Sequence, residues 1–173
     1  AYELSPYDET IVIDIDYLVF DKTILSVFDL DWDYCLMRNP QSLTQTFPNI
    51  MGSNSLPYIW ATVFAFRKTS RAEQYFKLVQ RIQENYGYYR SLFNIEQRNY
   101  RNDYAFAIAD NIVNGYTPSQ GIQWSMLTVD KVGISLEIKD NKIVVRDEDS
   151  AHLIPRQNIH VMDKNYLQSD LYA

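Results

Sequence analysis

At 173 residues, with 46% hydrophobic and 14% aromatic side chains, the chain can bury a proper core, and its length is that of one domain, expected to span 1–173. A net charge of -6 and a pI near 4.8 exclude a generally basic molecule of the kind that grips phosphate backbones, so nucleic acid is not an expected partner. One cysteine, Cys35, excludes an internal disulfide and suits a reducing compartment. No apolar run nears the roughly 18 to 20 residues that span a bilayer, so no membrane span and a cytoplasmic location are expected.

The turn-like stretch Ser5-Pro6-Tyr7-Asp8-Glu9 leads into Thr10 to Asp16, an apolar, β-branched run that reads as a strand buried on both faces, as in parallel or mixed sheets covered by helices. Asp21 to Phe28 reads as a short helix, and Tyr34 to Met37 as the next strand. Residues 39–58, rich in Pro, Ser, Gln and Asn, form a long polar loop of the size that active-site covers have. Tyr58 to Phe66 is strongly β-prone and predicts a central strand. Thr69 or Ser70 then caps a helix whose apolar face is Ala72, Tyr75, Phe76, Val79 and Ile82. A polar, aromatic connection from Gly87 to Arg101 precedes a second helix, Asn102 to Asn114, closed by Gly115. Ile134 to Ile138 and Ile143 to Arg146 make a hairpin about Asp140-Asn141. The last segment is Ile159 to Lys164. This order predicts an α/β fold with a mixed sheet flanked by helices.

Two carboxylates, Asp14 and Asp16, stand where the first strand must run out into a loop. There both can turn toward one point, and the carboxyl ends of strands are where open α/β sheets place ligands. Two acids beside an apolar strand repel each other unless a cation or basic groups offset them. A hard cation such as Mn2+ or Mg2+ answers that need; the bland alternative is that the acids cap the helix starting near Asp21. Asp29-Leu-Asp-Trp-Asp33 repeats the bare Asp-x-Asp pattern without an apolar strand before it. The segment 60–101 carries eight bases and three acids, which suits either a solvated helix face or a surface that meets an anionic substrate.

The string Ile11-Val-Ile-Asp-Ile-Asp-Tyr-Leu-Val-Phe20 resembles the Asp-x-Asp segment of nucleotide-sugar glycosyltransferases of the GT-A fold. The resemblance implies that Asp14 and Asp16 bind a divalent metal bridging the diphosphate of a nucleotide-sugar donor, with the acceptor unspecified. Trp60 to Lys68, including Trp60 and Arg67, is similar to the strand and adjoining segment that line the sugar and acceptor site in that family. Arg101-Asn102-Asp103-Tyr104-Ala105-Phe106 resembles the start of the helix that contacts sugar or acceptor, which would make Asn102 a substrate contact and Asp103 a catalytic residue. His160 and Lys164 resemble the late histidine and lysine that complete the metal shell and grip the diphosphate. As residues, Asp103 serves equally as a helix N-terminal acid, and Lys164 as a surface lysine. The resemblance implies a GT-A-like domain truncated at its N-terminus. It corresponds to the last two thirds of a full transferase, whose missing βαβ region would come from the same gene product, a partner or a homo-oligomer, unless the chain has kept the fold and lost the donor site.

Two other functions compete. A haloacid dehalogenase-type phosphatase also opens on an apolar strand and Asp-x-Asp, but it needs a later adjacent Asp pair, which this sequence lacks. A non-catalytic binding or assembly protein on a GT-A-like scaffold would use the fourteen tyrosines as a contact surface.

Overall fold

The computed structural model describes residues 1–43, 45–47, 50–51, 56–130, 134–146, 148 and 150–163. In chain order the strands and helices are β1 (Glu9–Ile13), β2 (Tyr17–Leu18), a 3-10 helix (Lys22–Asp29), β3 (Tyr34–Met37), β4 (Pro40–Ser42), β5 (Ile50–Met51), β6 (Leu56–Pro57), β7 (Trp60–Arg67), α1 (Ser70–Glu84), α2 (Tyr86–Leu92) and α3 (Asn102–Val113). They continue with β8 (Met126–Val129), β9 (Ser135–Lys139), β10 (Lys142–Arg146), β11 (Ala151–Pro155) and β12 (Ile159–Val161). The fold is mixed α/β with several sheets. The chain divides into two compact units, each assembled from three stretches: 1–13, 27–39 and 48–123 in the first, 14–26, 40–47 and 124–173 in the second.

The first unit is built around β7. Six of its eight residues are buried, and it pairs antiparallel with β1 on one side and β3 on the other. α1 packs on α3, and α3 on β6 and β7. Thr69 caps α1 by accepting a hydrogen bond from the Ala72 amide, and Ala72, Tyr75, Val79 and Ile82 give the helix a buried stripe at helical spacing. Gly115 closes α3 with φ at 62°: its N–H reaches the Ile112 carbonyl, and the Tyr116 N–H the Asn111 carbonyl, the paired bonds of a Schellman motif. The core is aromatic. Tyr34 stacks on Tyr75 with ring centroids 4.0 Å apart, and Phe106 meets Phe64 edge-on at 5.0 Å.

The second unit holds a four-stranded sheet of order β2-β12-β8-β4 and an antiparallel sheet of order β9-β10-β11. In the former, β8 runs parallel to β12 and β4, and β2 antiparallel to β12. Its core is aliphatic: Val129, Ile134, Ile143, Val145, Ile154, Ile159 and Val161.

Two expectations are corrected. β1 is not a strand buried on both faces but an edge strand, half exposed, because its neighbour on one side only is β7. An unbroken apolar run does not distinguish those situations. The mixed sheet and the helix-bearing sheet are also different sheets: helices cover the antiparallel β1-β7-β3, whereas parallel pairing occurs in the second unit.

Candidate functional site

β1 ends at Ile13, and the chain turns tightly, the Tyr17 amide donating to the Asp14 carbonyl at 3.1 Å. This turn separates the two acids. Asp14 and Ile15 are exposed, whereas Asp16 keeps only 4% of its surface. Asp16 is drawn in because β2 pairs with β12, setting Tyr17 opposite His160 and letting the Asp16 carbonyl accept from the Val161 amide at 2.9 Å. His160 is 5% exposed; its Nε2 stands 3.5 Å from Asp16 Oδ1, and its Nδ1 lies 3.5 Å from the Thr128 hydroxyl of β8.

That spacing is long for a hydrogen bond, whose heavy atoms sit about 2.7–3.2 Å apart. It does match the separation of two ligands on one ion: donors about 2.1 Å from a metal lie about 3.0 Å apart at a right angle and about 3.4 Å apart at the tetrahedral angle. Carboxylate oxygen and imidazole nitrogen are a suitable pair for Mn2+. Asp16 and His160 therefore fit a cation as two of its ligands. Among the described residues no group of three or more His, Cys, Asp or Glu side chains is placed to hold one, so these two would share it with water or a ligand's oxygens. Lys164 lies outside the described residues.

Asn158 and Thr128 are the site residues that sequence reading misses. Asn158 Oδ1 accepts from the amides of Phe20 and Asp21 at 2.7 and 2.9 Å, and its Nδ2 donates to Asp21 Oδ1 at 3.0 Å. This clamp fastens the segment after Asp16 beside the start of β12. Hydrogen bonds from Thr23, together with those from Asn158, hold the Asp21 carboxyl below its ordinary value. No local pattern marks either residue, because both act on partners far away in sequence.

The remaining candidates lie in the first unit. Asp103 Oδ1 accepts from the Ala61 amide at 2.9 Å and Oδ2 from Arg101 Nη2 at 2.8 Å, so it pins the start of β7 to the start of α3. Asn102 accepts from the Tyr100 hydroxyl at 2.9 Å, and Trp60 is buried beside Tyr58. Asp103 and burial together push the Tyr58 hydroxyl up, burial being the larger cause. Arg67 stands apart from this group, about 23 Å along β7 at the strand's rise per residue. There its guanidinium binds Glu9 at 2.7 Å and the Trp32 carbonyl at 3.1 Å and lies over the Trp32 ring, tying β1 and the turn before β3 to β7. β1 itself ends level with Val63, toward the Trp60 and Asp103 end of the sheet.

Two further groups in this unit have no exposed chemistry. Cys35 is fully buried, and burial pushes its thiol up to about 11, which keeps it protonated and inert. Asp110, 1% exposed, is held by Arg38 at 2.5 Å, Tyr34 at 3.1 Å and Asn114 at 2.9 Å. No family model, curated protein or solved structure matches the chain.

Proposed function

We propose that the chain is the metal-binding and sugar-contacting part of a GT-A-type glycosyltransferase, moving a sugar from a nucleotide-diphosphate donor to an acceptor. The observation that carries this reading is the meeting of Asp16 and His160, 144 positions apart, at the separation of two ligands on one ion. Those are two of the three residues that the family resemblance nominates as metal ligands. A Mn2+ or Mg2+ ion bound there would offset the charge that develops on a departing diphosphate. Asp16 supplies the anionic oxygen and His160 the nitrogen. Asp14, the third residue nominated, is exposed at the turn and stands apart from this pair. In the first unit, Asp103 is the group proposed to orient donor or acceptor, with Trp60 and Asn102 beside it as sugar contacts.

A second reading has a specific observation in its favour. Asp103 and Arg67 are both engaged in ties that hold the first unit together, which a non-catalytic binding or assembly protein would need equally. Turnover separates the two. With saturating Mn2+ and a panel of nucleoside-diphosphate sugars, and water taking the sugar in place of the acceptor, a transferase releases free sugar and nucleoside diphosphate, and Asp103→Asn lowers that release while leaving Mn2+ affinity intact. Absence of release from every donor, with Mn2+ still bound, would leave the binding protein as the surviving account.

A further inference from the structure

We propose that Asn158 is a positioning residue that fixes the register of β2 on β12 and so brings Asp16 to His160. Its effect on a bound ion rests on the metal reading above; its effect on the register stands without it.

β2 has little of its own to hold it in place. It is two residues long and lies at the edge of its sheet, with β12 as its one neighbour. Side-chain pattern supplies part of the register, because successive residues face opposite sides: Tyr17 is buried on one face, and Leu18 packs against the aliphatic core on the other. A slip of one residue would exchange those faces and is opposed for that reason. A slip of two residues keeps both faces, yet it carries Asp16 about 7 Å along β12 and away from His160.

Asn158 excludes the second slip. It is 7% exposed and directly precedes β12, the strand that carries His160. Its Oδ1 accepts from the consecutive amides of Phe20 and Asp21, at 2.7 and 2.9 Å, just beyond the end of β2. Successive amides of a strand point to opposite sides, so two of them converge on one oxygen only where the chain leaves the strand. That convergence marks a single register. Asp21 in turn sets the orientation of the Asn158 amide: an ionised carboxylate can only accept, so it takes Nδ2 at 3.0 Å and leaves Oδ1 for the backbone. The Thr23 amide holds the same Asp21 oxygen at 2.8 Å.

The test compares the unaltered chain with Asn158→Ala and with Ile143→Val, a fully buried core position of the same unit outside the clamp. Register is read from the α-proton contact of Tyr17 and His160, which face each other as a non-hydrogen-bonded antiparallel pair, and ion binding from titration with Mn2+ alone. Asn158→Ala is expected to lose the contact and to bind Mn2+ about tenfold more weakly, and Ile143→Val to keep both. Asn158→Asp alone sets two carboxylates together and is expected to lose the contact as well; adding Asp21→Asn returns a donor to that position and should recover it. Retention of the Tyr17 and His160 contact in Asn158→Ala would overturn the proposal whatever happens to Mn2+. So would an equal loss in Ile143→Val, which would make the effect one of general stability. An unaltered chain that binds no Mn2+, beside an Asn158→Ala variant that loses the contact, would end the metal reading and leave Asn158 as the register lock.

Discussion

The two units treat buried charge differently. In the first, buried Asp110 is met by Arg38, Tyr34 and Asn114 at 2.5 to 3.1 Å, and half-buried Asp103 by a backbone amide and Arg101 at 2.8 to 2.9 Å. In the second, Asp16 and His160 face each other at 3.5 Å, beyond a good hydrogen bond and within the span of an ion. Closed networks specify a fold. The metal proposed above is assigned to Asp16 and His160 and not to Asp110, whose oxygens are already held by Arg38, Tyr34 and Asn114.

The largest expected effect breaks the closed side. Asp110→Ala strands the Arg38 guanidinium and removes the acceptor of Tyr34 and Asn114; loss of one partner of a buried pair costs about 3–5 kcal/mol, measurable by urea unfolding. A loss under about 1 kcal/mol would mean that the network is not closed. Next comes Asn158→Ala, which leaves the Phe20 and Asp21 amides without their acceptor and should destabilise by about 1–3 kcal/mol, with faster exchange at those two amides. Thr69→Ala should cost about 1 kcal/mol, and Thr69→Ser close to nothing, since either hydroxyl caps the Ala72 amide.

The smallest effect is on pH. The folded Asp21 carboxyl has a lowered pKa, so its contribution is present above the ordinary carboxylate value of 3.8 and is lost as pH falls from there through the lower folded value. Replacing Thr23 by Ala should flatten the acid side of the stability profile. An unchanged profile would show that the Thr23 side-chain bond does not persist in solution, since the Thr23 amide still donates to Asp21 after the substitution.

Much of the first unit was legible in sequence because its signals are local. β7 announces itself by β-propensity, α1 by Thr69 and a helical stripe, and α3 by Gly115; in the second unit the β9-β10 hairpin is equally local, marked by Asp140-Asn141. What was illegible depends on partners far along the chain. β4 and β8 are short, and each acquires its identity from parallel pairing between residues 86 apart, as Pro40 with Met126. β1 was read as interior because Ile11, Val12 and Ile13 carry no alternation to reveal an outer side. The site was half legible: Asp14 and Asp16 look equivalent in sequence, and only the Asp14–Tyr17 turn and the pairing of β2 with β12 decide that Asp16 is buried against His160. Thr128 and Asn158 leave no local mark at all.

The most direct test of the central claim is the thermal midpoint of the chain with and without Mn2+. At about one hundred times the dissociation constant, a ligand that binds only the folded chain contributes about 2.7 kcal/mol, or about 5–10 °C for a chain this long. Such a rise is expected for the unaltered chain, and Asp16→Asn and His160→Asn should each abolish it. No rise in the unaltered chain, or the same rise in both ligand variants, would contradict the assignment of Asp16 and His160 to a metal.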